Sequence, residues 1–176
     1  VPTVVIDGTP HTNPDPAIAL AVSLIAFHAL TTQQVQHVQL TDIIDGRLRM
    51  PDGRSIPLAK PVRVRLTAWL DHRAKRWPET KNPYLLVTIQ TAPRLSPPSR
   101  NFPWRKAGVT AQALRTDRIL YEVEQTGGDV RRVCDLFGIG IETALRYSAT
   151  ILEPPTPGER APTHTGEIDN ESASTV

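Results

Sequence analysis

Several basic and polar side chains in this sequence fall into groups by their spacing. Arg115 and Arg118 lie one turn apart on an expected helix, so they share a surface. Arg47 and Arg49 alternate along an expected strand and point the same way. Residues 127–147 read as two short helices around a glycine-containing turn, a helix-turn-helix pattern. Its second helix carries Glu142, Thr143 and Arg146, followed at once by Tyr147. Guanidinium groups make short, charge-assisted bonds to phosphate oxygens, so the chemistry these groups suit is contact with nucleic acid. Each group also has a plainer reading. The hairpin arginines suit a solvated edge, Arg115 can pair with Asp117 or Glu122, Arg131 and Arg132 suit a solvated face, and Tyr147 borders an apolar face where it can simply pack.

Other chemistries find less support. The five histidines, His11, His28, His37, His72 and His164, have no metal-ligand spacing, so no metal and no cofactor is expected. The single cysteine, Cys134, falls on an apolar helix face and reads as packing; a lone cysteine excludes an internal disulfide and fits a reducing, cytoplasmic setting. The apolar run 17–30 is too short to span a bilayer and reads as a buried helix.

These groups need elements to position them. After the helix over 17–30, Thr31 or Thr32 caps a short second helix, and Val38–Ile43 alternates like a strand. Turns at Asp45-Gly46 and 51–54 make a small antiparallel sheet with Arg47–Met50 and Ser55–Leu58. Pro61–Arg76 is an amphipathic helix with Val62, Leu66, Trp69 and Leu70 as its apolar stripe. Tyr84–Ile89 reads as a buried strand or extended segment. The proline-rich loop 92–104 mixes Arg94 and Arg100 with Phe102 and Trp104, with Arg105 just beyond, which suits either base stacking or self-packing. A helix from Thr110 or Ala111 to about Gln125 buries Leu114, Ile119, Leu120, Tyr121 and Val123. Asp129 then caps Val130–Phe137, Gly138 ends it, and Ala144, Leu145 and Ser148 share a side with Ile141.

The 176 residues suit one domain with tails. Residues 1–16 read as a linker, with a short strand at Val1–Ile6 and no initiator methionine, the mark of a fragment. Residues 17–152 form the domain, and 153–176 are an acidic, proline-rich, disordered tail. The whole chain carries +2, the tail −4 and the remainder +6, a balance compatible with phosphate contacts.

The order of elements resembles the catalytic domain of the tyrosine recombinase, or phage-integrase-like, family. Residues 28–43, His-Ala-Leu-Thr-Thr-Gln-Gln-Val-Gln-His-Val-Gln-Leu-Thr-Asp-Ile, look like the family block Thr-Gly-Leu-Arg-x-x-Glu-Leu…Leu-x-Trp-x-Asp-Ile. The hairpin ends in Ile56-Pro57-Leu58, similar to Val-Pro-Leu, and Tyr84–Thr88 resembles Leu-Phe-x-Ser. Ala111-Gln112-Ala113-Leu114-Arg115 looks like His-x-Leu-Arg, and Asp135–Gly138 through Thr143–Tyr147 looks like Leu-Leu-Gly-His…Thr-Thr-x-x-Tyr. The resemblance covers residues 17–152 and implies an α+β, mainly helical fold with a small antiparallel β-hairpin or sheet.

It also implies transesterification of DNA. A tyrosine attacks the phosphodiester, two arginines clamp the phosphate, and a histidine and a hairpin lysine assist. On this sequence Tyr147 matches the nucleophile, Arg115 the second arginine and Gln112 the first histidine. Thr31 stands at the first arginine and Ile139 at the second histidine, and the turn before the tyrosine is one residue shorter. Only Arg49 or Arg54 offers a charge near the hairpin lysine. The set resembles degenerate integrase-like proteins of actinobacterial type. It implies a partner in double-stranded DNA, a homo-oligomer on that DNA, contacts through Arg49, Arg54, Arg118 and Arg146, and strand cleavage that is impaired or absent. Other readings are a helix-turn-helix regulator using residues 129–151 and a protein-interaction domain.

Overall fold

The computed structural model describes residues 15–152; residues 1–14 of the expected linker, with the Val1–Ile6 strand, and the expected tail lie outside them, while Asp15 and Pro16, read as linker, open the first helix. Within that span the chain is α+β and mainly helical, with six helices and a small antiparallel sheet.

Helix α1 (Pro16–His28) starts where the Asp15 carboxylate accepts the Ala17 amide, with Pro16 in the first turn. Its composition is apolar all round, and Leu20, Ala21, Leu24 and Ile25 are buried, so it occupies the centre. It packs against α3 (Lys60–Arg76) on one side and α4 (Ala111–Gln125) on another. Between them α2 (Thr32–His37) is opened by a reciprocal capping box: Thr31 Oγ1 accepts the Gln34 amide, and Gln34 Oε1 accepts the Thr31 amide.

The alternation read over Val38–Ile43 yields less strand than expected. A single bridge joins Gln39 to Tyr84, and a 3-10 turn occupies Leu40–Asp42 because Asp42 Oδ2 accepts the Gln39 amide. The sheet then runs β1 (Ile43–Ile44), β2 (Arg47–Arg49), β3 (Ser55–Pro57) in that order. Leu48 pairs with Ile43 and Ile56 and is buried, while Arg47 and Arg49 face outward. The tight β1–β2 turn places Asp45 and Gly46 at φ 51° and 71°, the left-handed region that this hairpin geometry demands.

Helix α3 buries Val62, Leu66 and Trp69; Leu70, expected in that stripe, lies at its exposed margin. Trp69 Nε1 donates to the Leu85 carbonyl at 2.8 Å. Tyr84–Ile89 is not a strand beyond that one bridge. Leu85, Leu86 and Val87 are buried, but their surroundings are shaped by side chains instead of a ladder. Asn82 is the organiser. Its Nδ2 donates to the Thr91 and Ser96 carbonyls, its Oδ1 accepts the Tyr84 amide, and its carbonyl accepts from Arg73. Phe102 and Trp104 pack against the main core, so the loop is held by its own aromatics and not spread for stacking.

The last three helices enclose a second, smaller core of Ala29, Ile119, Val123, Val133, Phe137 and Ala144. Thr110 caps α4 and Asp129 caps α5 (Val130–Phe137). Gly138 ends α5 at φ 61°, and α6 (Ile141–Leu152) follows. Three apolar side chains expected on the inner faces are not inside: Tyr121, Ile141 and Leu145 are exposed, because the core is narrow and α4 and α6 each present only one edge to it.

Trp69 joins the main core to the loop beyond α3. Trp69→Ala is expected to lower stability by about 3–5 kcal/mol, and Trp69→Phe, which strands the Leu85 carbonyl, by about 1–3 kcal/mol. Urea unfolding checks both. A Phe variant with wild-type stability would remove the hydrogen bond from this account.

Candidate nucleic-acid interface

The site is built around the C-terminus of α1, where helix carbonyls lack partners from their own helix. Three consecutive residues there are held from outside. Arg118 Nε donates to the Phe27 carbonyl at 3.1 Å, and Arg115 Nε donates to the Ala29 carbonyl at 2.8 Å. Between them, the His28 ring accepts the amide of Ala59, the residue capping α3, at 3.3 Å. Ala29 takes the left-handed conformation, φ 51°, and is buried in the small core. That turn carries the chain away from the helix axis toward Leu30 and Thr31. Two cations at a helix C-terminus also sit in the favourable end of its dipole.

The two α4 arginines end differently. Arg118 is consumed by the fold: it pairs with Glu122 at 2.9 Å and lies 5.4 Å from the Phe137 ring and 5.6 Å from that of Tyr121. Arg132 also approaches Glu122, at 3.7 Å. Arg115 is held only by Nε among the described residues. Its two terminal nitrogens retain a fixed fork of four N–H groups.

Tyr147 is half-buried and packs against the small core that includes Ala29 and Phe137. Arg54, in the β2–β3 turn, reaches the same region: its Nη1 donates to the Leu136 carbonyl at 2.9 Å, and its guanidinium rests on Gly138. Leu136 and Gly138 flank Phe137. Arg115, Tyr147 and Arg54 each touch the small core or a residue that flanks it. Gln112 is not: it is exposed and its Nε2 donates to Thr116 Oγ1 along its own helix, at 3.3 Å. Arg49 stands exposed on the sheet, and Arg146 is exposed on α6 beside Tyr147. Thr31 is occupied in the α2 cap, and Ile139 packs against the small core.

Sequence reasoning missed His28. Burial, and then the charge of Arg118, push its pKa down to about 4, so its ring stays neutral and accepts from Ala59. Its place at the end of an apolar run was the only signal. It also missed the docking of Arg54. Among the described residues no group of histidine, cysteine or carboxylate side chains could hold a metal, and no helix is long and apolar enough to cross a membrane.

The sequence matches no protein-family model and no curated protein. Among solved structures the fold is similar to that of XerA recombinase, 22% identical, with 76% of this chain and 53% of that chain covered and a TM-score of 0.61. It is similar to XerH site-specific recombinase bound to difH substrate in a pre-cleavage complex: 15% identical, 82% and 46% covered, TM-score 0.58. The post-cleavage complex of XerH with palindromic difH substrate is 16% identical, with 80% and 44% covered and a TM-score of 0.59. The chain thus has a recombinase-like fold and spans about half the length of these proteins.

His28 makes stability depend on pH. Below its ordinary value of 6.5 the unfolded chain takes a proton that the folded chain refuses until about 4. The stability present above 6.5 is therefore lost as pH falls toward 4, by up to about 3 kcal/mol before allowance for partial exposure. Urea midpoints from pH 7 to pH 4, compared with those of His28→Gln, check this; the variant is expected to lose that part of the slope.

Proposed function

We propose that this chain is a DNA-binding domain of tyrosine-recombinase type, acting in DNA recombination and integration, with strand cleavage impaired or absent. The observation that carries the reading is Arg115. Its Nε is anchored on the Ala29 carbonyl while its terminal nitrogens remain for a phosphate, at the core where Tyr147 packs. A guanidinium fixed this way loses little freedom on binding and offers a bidentate contact.

The partner is double-stranded DNA, bound by copies of this chain assembled along it, in the cytoplasm. Arg49, Arg115 and Arg146 contribute phosphate contacts, and Arg54 stands near. Arg118 acts indirectly, by holding α4 on α1. Tyr147 is the one candidate nucleophile: its hydroxyl would attack phosphorus, displace the 5′-oxygen of the broken strand and leave a 3′-phosphotyrosine. What stands at the other family positions supports impaired cleavage. Thr31 caps a helix where a second clamping arginine is expected, Gln112 turns along its own helix, and Ile139 packs. Each missing donor to the transition state costs about 2.7–4 kcal/mol by analogy with an oxyanion donor. Actinobacterial-type degeneracy of the active site fits the same substitutions. The regulator reading of residues 129–151 is less well supported, because the exposed face of α6 includes Ile141 and Leu145.

Binding to duplex DNA is expected to weaken steeply with salt. Arg115→Lys keeps a charge but cannot grip both Ala29 and a phosphate, so it is expected to lower affinity about tenfold or more. A nicked suicide duplex should trap little covalent adduct, and none with Tyr147→Phe. Salt-insensitive or absent binding would overturn the DNA reading; abundant tyrosine-dependent adduct would overturn the impaired-cleavage part.

A further inference from the structure

The β2–β3 turn contains Arg54, yet this arginine is mostly covered, its side chain 21% exposed. Two sets of contacts cover it. Within the turn, Asp52 Oδ2 accepts Arg54 Nε at 2.8 Å and faces Nη2 at 2.7 Å, while Asp52 Oδ1 accepts the Arg54 amide at 3.1 Å. Across the fold, Nη1 donates to the Leu136 carbonyl at 2.9 Å. That carbonyl belongs to the last turn of α5, where helix carbonyls need outside donors. The guanidinium also lies on Gly138, in the space a Cβ would take. Gly138 thus meets two demands at once, a left-handed φ of 61° and room for Arg54.

From these contacts we infer that Arg54 is a positioning residue, a latch that fixes the corner between α5 and α6 to the hairpin and so sets where α6 and Tyr147 stand. Asp52 aims the guanidinium and the Leu136 carbonyl receives it. Two of the five N–H groups remain after these bonds. Apart from Phe137 and Ile139, which pack in or against the small core, the corner is open: Gly140 meets nothing within 4 Å of where a Cβ would lie and Ile141 is exposed. Ile139, at the corner itself, carries no charge, so the cation there comes from the hairpin. The consequence for Tyr147 rests on the recombinase reading above; the latch does not.

The test is amide hydrogen exchange on the DNA-free chain. Gly138, bonded to the Cys134 carbonyl, and Ala144, bonded to that of Gly140, report the corner; Leu85, bonded to Val38, reports the main core. Arg54→Ala is expected to speed exchange at the corner about tenfold or more, the loss of one charged hydrogen bond, with Leu85 unchanged. Asp52→Asn should give a smaller rise, and Arg54→Lys, which can still donate to Leu136, should restore part of the protection. The Tyr147 ring signals should shift in Arg54→Ala and return toward wild type in Arg54→Lys. Unchanged corner exchange in Arg54→Ala would overturn the latch. If Arg54→Ala loosens Leu85 as well, the Lys variant decides: a rise confined to the corner supports the latch, and an equal rise in both regions overturns it. Loss of salt-sensitive DNA binding by the wild type would remove the recombinase reading and leave this result standing.

Discussion

The last turn of α1 ties α3 and α4 together through side-chain hydrogen bonds. That helix is central and apolar, and it ends with carbonyls that its own backbone cannot satisfy. Arg115 and Arg118 supply the donors from α4, and His28 ties the same turn to the cap of α3. These contacts join the main core to the small one, beside the packing of α1 on α4 and the bond from Arg54 to Leu136. The left-handed Ala29 shows how constrained the turn is, because an alanine is held where glycine is favoured.

The same contacts explain why two arginines one turn apart differ in role. Arg118 is surrounded by a carbonyl, a carboxylate and two rings, and becomes part of the interior. Among the described residues Arg115 meets one carbonyl, through the nitrogen nearest its stem, and keeps its fork. An anchored Nε with free terminal nitrogens makes a rigid donor, which suits the phosphate contact proposed for it at low entropic cost. Two positions at which the resemblance expects an arginine and a histidine serve the fold instead: Thr31 caps α2 and Ile139 packs against the small core.

What the sequence made legible was local. Asp129 as a cap, Gly138 as a helix end, and the outward alternation of Arg47 and Arg49 depend on neighbours within a few residues. The order of elements was legible too. The segment from Tyr84 was not, because its form is dictated by Asn82 reaching forward to Thr91 and Ser96. The fate of Arg118 was hidden because its acceptor, Phe27, lies 91 residues away, and that of Arg54 because Leu136 lies 82 away. Tyr121 read as buried from its helical position, but α4 has a narrow contact face and leaves it outside.

The central claim is that Arg115 is anchored by one nitrogen and grips phosphate with the others. The most direct measurement is nuclear magnetic resonance of its guanidinium, assigned through Arg115→Lys, in the free chain and with a short DNA duplex. The account predicts a slowly exchanging Nε proton in both states and a shift of the Nη signals when DNA binds. An Nε proton that exchanges like those of exposed arginines, or Nη signals indifferent to bound DNA, would contradict it.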